Sequence, residues 1–220
     1  PDKLSFVGAY PLPLRHGLTM GELAALENGE KHLAADLHVI RMENWTRRTW
    51  FDETGLPWVN PSPNIHNLNE AILYPGIGML EYSTNYSVGR GTDAPFEQIG
   101  AEWIDGPRLA AFLNAEHLPG VSVEAVRFTP ASSHLAGKSL SGVHFSVTDR
   151  NTFSSSQFGL ALASALASLY PGKIDFDVNR KLIGNSAVIS ALDRSADVLS
   201  AANQGIPEFL AIRAKYLLYN

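Results

Sequence analysis

Along this chain the spacing of apolar and polar residues changes period several times, and each change marks an element. LSFVG at residues 4 to 8 predicts a strand, and the Pro-rich YPLPLRHG that follows predicts a loop. TMGELAALENGEKHL has helical spacing and opens with Thr19 and Glu22 at the T-x-x-E spacing of a capping box. LHVIRM then returns to strand character. Strand, helix and strand in this order form the βαβ pattern of a parallel sheet, whose ligands bind outside the carboxyl ends of the strands. The loop LPLRHG lies at such an end, so Arg15 and His16 are site candidates there, against ordinary loop polarity.

Residues 43 to 68 carry three Trp and three Pro with little periodicity and predict an ordered, irregular loop. Residues 69 to 80 predict a short helix that gives way to a turn at Pro75 and Gly76. In DGPRLAAFLNAEHLPG, Asp105 is the expected N-cap, and Leu109, Phe112 and Leu113 share a face. VSVEAVRF and GVHFSVTD alternate at period two: Val143, Phe145 and Val147 face one way and His144, Ser146 and Thr148 the other. These predict neighbouring antiparallel strands. QFGLALASALASLYPG is apolar on nearly every side, as a buried helix is, and GIPEFLAIRAKYLLY places Pro207 in a helical first turn. The pattern reads as a parallel α/β part followed by an α+β part, with a composition shift between residues 81 and 104.

Composition narrows the function classes. Of 220 residues, 45% are apolar and 18% charged, which describes a globular chain. A formal charge of −5, without a run of Lys and Arg, leaves no basic surface for a nucleic-acid backbone. With 0 Cys there is no disulfide and no thiolate nucleophile or ligand, and the 7 His include no HExxH pair, so no metal is expected. No stretch approaches the roughly 18 apolar residues of a membrane span. The chain opens within an expected strand, which predicts a missing N-terminal portion.

The chemistry concentrates in YSTNYSVGRGTDAPFEQIG, residues 82 to 100. It lacks the GxxxxGK[ST] of a phosphate loop. Arg90 offers a planar fork suited to a carboxylate or paired hydroxyls, and its two glycine neighbours permit close approach of a backbone or a ligand. The alternative is a structural pair with Asp93 or Glu97. Glu81 is a general acid or base if burial raises its pKa, and otherwise a surface carboxylate. Trp45, Trp50, Trp58, Trp103, Tyr74, Tyr82 and Tyr86 stack on sugar faces or close a core.

PLRHGLTMGELA, GLPWVNPSPNI, ILYPGIGMLEYSTNYSVGRGTDAPFEQIGAEWI, GVHFSVTDR and RAKYLLY, in this order from about residue 5 to the end, resemble the carboxyl-terminal half of the exo-β-N-acetylmuramidases of the NamZ type. The resemblance implies a glycoside hydrolase that releases N-acetylmuramic acid from the non-reducing end of peptidoglycan fragments, without metal or cofactor, in a periplasmic or secreted setting. It implies part of a Rossmann-like parallel-sheet domain over residues 1–85 and a smaller auxiliary α+β domain over 86–220. The family's proposed catalytic glutamate, in a Glu-His-Gly motif, is expected upstream of this chain, whose only His-Gly pair is His16-Gly17 after Arg15. Tyr86 and Glu102 depart from the family's pattern. Catalytic candidates within the chain are Glu81 and His16. Muramic acid carries a lactyl carboxylate, which makes Arg90 or Arg15 the expected clamp, with Asn64, Asn85 and Thr92 orienting hydroxyls and the N-acetyl group. A non-catalytic glycan-binding or scaffold protein remains the alternative.

Overall fold

A computed structural model describes Gly8 and residues 10–220. Its helices are α1 (Met20–Glu30), α2 (Leu68–Ile77), α3 (Gly106–Ala115), α4 (Ser155–Leu169), α5 (Arg180–Ile183), α6 (Ser186–Asp193), α7 (Val198–Asn203) and α8 (Ile206–Arg213). The strands are β1 (Gln98–Ala101), β2 (Val121–Phe128) and β3 (Leu140–Val147). Among the described residues no helix is long and apolar enough to cross a membrane. The chain divides into two compact units: Trp58–Ala202 with the described residues up to Pro11, and Leu12–Pro57 with Asn203–Asn220.

In the larger unit the strands form one antiparallel sheet in the order β1-β3-β2. Val143 pairs with Ile99 on one side and Ala125 on the other, the antiparallel pairing that the alternation predicts for β2 and β3. Val143 and Phe145 are fully buried, and His144 between them turns to the opposite face. α3 begins where predicted, because the Asp105 side chain accepts the Arg108 N–H at 3.1 Å. Its Leu109 and Leu113 join Phe145, Phe158, Leu162 and Leu166 in a single core. α4 is buried along most of its length, as its composition predicts.

Pro75 and Gly76, expected in a turn, lie inside α2. Proline brings no N–H to the Ala71 carbonyl, yet the helix continues past it and is braced from α4. The Ser155 hydroxyl accepts the Gly76 N–H at 2.8 Å and donates to the Leu73 carbonyl at 3.1 Å. The two helices meet at glycine: a Cβ on Gly159 would stand 2.4 Å from the Gly76 oxygen. A 3₁₀ turn, Gly78–Leu80, follows and delivers Glu81.

The parallel sheet expected at the start of the chain is not found among the described residues. Residues 4–7 of the expected first strand lie outside the described residues, and LHVIRM forms no ladder; a strand is defined by a neighbouring backbone, and none lies beside it among the described residues. Ile40 there is 96% exposed. In the smaller unit the capping box of α1 forms as its spacing predicts, with Thr19 N–H on the Glu22 carboxylate at 2.8 Å. Glu22, fully buried, also accepts the Leu218 N–H at 2.6 Å and pairs with Arg47. Burial by itself would raise its pKa, but the hydrogen bonds from Thr19, Leu218 and Arg47 hold it below the ordinary value.

Candidate functional site

The glycine-flanked arginine sits in a loop of the larger unit whose ends are tied by backbone. Ser87 and Gly100 exchange hydrogen bonds of 2.8 and 2.9 Å, and the Phe96 N–H reaches the Val88 carbonyl at 2.8 Å. Gly89 and Gly91 have φ of +84° and +83°, which L side chains rarely adopt. The close approach is by protein backbone: a Cβ would lie 2.3 Å from the Ala94 oxygen at Gly89 and 2.5 Å from the Ser132 oxygen at Gly91.

Arg90, between them, pairs with neither Asp93 nor Glu97. Its Nη2 donates to Glu81 Oε2 at 2.6 Å, and its guanidinium carbon stands 5.2 Å from the centre of the Phe96 ring. The Glu81 side chain is 9% exposed and that of Arg90 37%, so the pair is seated in protein with the guanidinium reaching solvent. The Tyr74 ring meets Phe96 edge-on at 4.8 Å. Burial, reinforced by the Glu81 charge, raises the Tyr74 phenol above its ordinary pKa. Tyr74 and Tyr82 both remain partly exposed. The Tyr82 N–H donates at 2.9 Å to the side-chain oxygen of Asn179, a fully buried residue. This assembly holds a cation in one orientation with part of its fork uncovered, which suits a ligand carboxylate.

The other expected site residues fall out differently. Asn85 donates to the Lys173 carbonyl at 2.6 Å and accepts the Ser83 hydroxyl at 2.7 Å. The Thr92 hydroxyl donates to the Gly89 carbonyl at 2.7 Å and accepts from Ala94 N–H and the Gln98 amide. Both side chains tie the loop together. Asn64 is half-buried in a turn closed by the Ile65 N–H on the Ser62 carbonyl at 3.0 Å. Arg15 and His16 belong to the smaller unit, where Arg15 is exposed. His16 Nδ1 accepts the Leu18 N–H at 3.1 Å, and burial, with the Arg213 charge, lowers its pKa and favours the neutral ring. Tyr86, expected to depart from the family's pattern, is buried and donates to the Leu80 carbonyl at 2.6 Å; burial raises its pKa. Glu102 takes an ion pair from Lys138 at 2.8 Å.

Sequence reasoning missed Phe96, Asn179 and the contact of Glu97 with Asn69 and His144. Asn179 lies 97 residues from Tyr82, and nothing in the spacing of either residue announces their contact. Among the described residues no group of three or more His, Asp or Glu is placed to hold a metal.

Comparison with known proteins returns a consistent set of relatives. The family described as "Exo-beta-N-acetylmuramidase NamZ, C-terminal" matches residues 72–219, and its N-terminal counterpart matches residues 1–69. The curated peptidoglycan beta-N-acetylmuramidase NamZ of Bacillus subtilis (strain 168) is 41% identical over the whole of this chain. The chain spans 54% of that relative's length. Two crystal structures of DUF1343 family proteins from Bacteroides fragilis are similar. One has a TM-score of 0.88 at 31% identity, covering 99% of this chain and 60% of its own; the other has 0.73 at 27%, covering 100% and 62%.

Proposed function

We propose, for a chain that belongs to the exo-β-N-acetylmuramidase NamZ family, that it forms part of a glycoside hydrolase releasing N-acetylmuramic acid from the non-reducing ends of peptidoglycan-derived glycans. The observation that carries this reading is the 41% identity, along the full chain, to a peptidoglycan beta-N-acetylmuramidase. The site's geometry adds the chemistry. Muramic acid differs from glucosamine by a lactyl ether ending in a carboxylate, and Arg90 presents a guanidinium already oriented by Glu81 and Phe96. In this reading Arg90 clamps the carboxylate. Glu81 orients the clamp through Oε2, which accepts from Arg90 Nη2, and the resemblance puts the proton donor upstream. The catalytic acid then lies outside these residues. Asn85 and Thr92 shape the loop, while Asn64 is a contact proposed from the resemblance, and Arg15 as a substrate contact and His16 as a catalytic group are proposed from their loop position together with it.

The exposure of Ile40 within an apolar segment that has no ladder supports a Rossmann-like sheet completed by further chain in the whole protein. The proposed end of that domain at residue 85 rests on the composition shift between residues 81 and 104, while the two family matches meet between residues 69 and 72. Peptidoglycan fragments as substrate fit a periplasmic or secreted location.

The test uses the protein at the full length of its relatives, assayed on a chromogenic N-acetylmuramide and on the matching N-acetylglucosaminide. Arg90→Lys keeps the charge and loses the fork. Charge-assisted hydrogen bonds contribute about 1.5 to 3 kcal/mol each, so preference for the muramide is expected to fall at least about tenfold. Equal loss on both sugars with a lower Tm would make Arg90 a turn residue, and no turnover of the muramide by the unmodified protein would reject the activity.

A further inference from the structure

Phe96 is a bulky aromatic residue held at φ +64°, a left-handed backbone that outside glycine is met mainly at Asn and Asp. It is 1% exposed and anchored on both sides. Its own N–H closes the loop on the Val88 carbonyl at 2.8 Å, and the next carbonyl, of Glu97, accepts the Phe145 N–H at 2.7 Å as the chain enters β1. With both anchors fixed, a right-handed φ at this residue would swing the Cα–Cβ bond away and take the ring from its place against Arg90. Tyr74 meets the ring edge-on, with an angle of 74° between the planes, and keeps it from turning. Strain of this kind persists where the surrounding structure over-determines it and is common at ligand clamps.

We propose that Phe96 is a positioning residue: its left-handed backbone holds an aromatic platform against the Arg90 guanidinium, and platform and Glu81 together aim the fork at the carboxylate of the bound sugar. This rests on the clamp reading of Arg90. The face of an aromatic ring is negative and attracts a cation, so the platform restrains the guanidinium plane without occupying its N–H groups. Glu81 restrains the same plane from one edge, through Nη2 alone. The remaining donors stay free for the ligand. An arginine held by Glu81 alone would keep its charge and lose the angular definition that bidentate binding needs.

The experiment replaces Phe96, in the protein at full relative length, by phenylalanines of increasing ring fluorination. These preserve shape and backbone while draining the negative face. Calorimetric titration with free N-acetylmuramic acid and N-acetylglucosamine gives their affinity ratio for each variant. The ratio is expected to fall stepwise with fluorination, to about three- to tenfold below wild type, the range of a partly desolvated cation–π contact. The same substitutions at Phe145, buried in the same core, are expected to leave it unchanged. A ratio flat across the Phe96 series, or an equal fall in the Phe145 series, overturns the proposal. Arg90→Lys separates the two readings. If it lowers the ratio and fluorination does not, the platform alone is rejected; if it leaves the ratio unchanged, the clamp falls and the platform with it.

Discussion

Glu97 shows how far a side chain's role depends on what the fold sets beside it. In sequence it is a candidate partner for Arg90, seven residues away. In the structure its Oε1 accepts the Asn69 amide at 2.7 Å and its Oε2 lies 3.7 Å from His144 Nε2. His144 first, then Asn69, hold its carboxyl below the ordinary value of 4.5 although burial acts in the opposite sense. A carboxyl whose folded pKa is depressed stabilises the fold above its unfolded value and loses that contribution as pH falls through the folded one. Glu97→Gln is therefore expected to lower the Tm near neutral pH and to converge with wild type as the pH drops below 4.5. Thermal melts across a pH series measure this. A gap that stays constant into acid would mean that ionised Glu97 contributes nothing.

Among the elements, α2 is the one whose form depends most on a neighbour. Read alone, Pro75 and Gly76 end a helix; packed on α4, they continue it, with the Ser155 hydroxyl accepting the Gly76 N–H and donating to the Leu73 carbonyl. The continuation carries the chain through Gly78–Leu80 to Glu81 and so sets where the Arg90 partner stands. Ser155→Ala would leave the Gly76 N–H without this acceptor in a buried place, a loss of about 1 to 3 kcal/mol. Urea unfolding is expected to show a lower midpoint at unchanged slope. A change within about 0.5 kcal/mol, the range of ordinary surface substitutions, would mean that the Gly76 N–H finds another partner. Capping signals, by contrast, were legible without neighbours: Thr19 with Glu22 and Asp105 with Arg108 act within one turn of chain.

At the scale of the whole molecule the chain spans about half of its curated relative, 54%, and the segment at residues 37–42 leaves Ile40 almost fully exposed at 96%. If further chain completes a sheet there, Ile40→Lys buries an unpaired ammonium in the long protein and touches only solvent in the 220-residue chain. The substitution is expected to destabilise the long protein by several kcal/mol, the penalty after relaxation for burying an ion, and the short chain by no more than about 0.5 kcal/mol. Parallel denaturation of both forms reads the difference. Equal effects would remove the completed sheet from the proposal.

The sequence by itself determined what acts over short range or by period. It set the helix caps, the alternation that pairs β2 with β3, the buried character of α4 and the glycines that frame Arg90. Its motif order also carried the family. Only the tertiary structure decided which partner Arg90 takes, that Pro75 stays within a helix, that Asn85 reaches the Lys173 carbonyl while Thr92 binds its own loop, and that Phe96 turns left-handed beside the guanidinium. The reason is physical. A cap or a period is fixed by bonds within a few residues, whereas an ion pair, a braced helix or a strained φ is chosen by groups that arrive from distant parts of the chain once the core has closed.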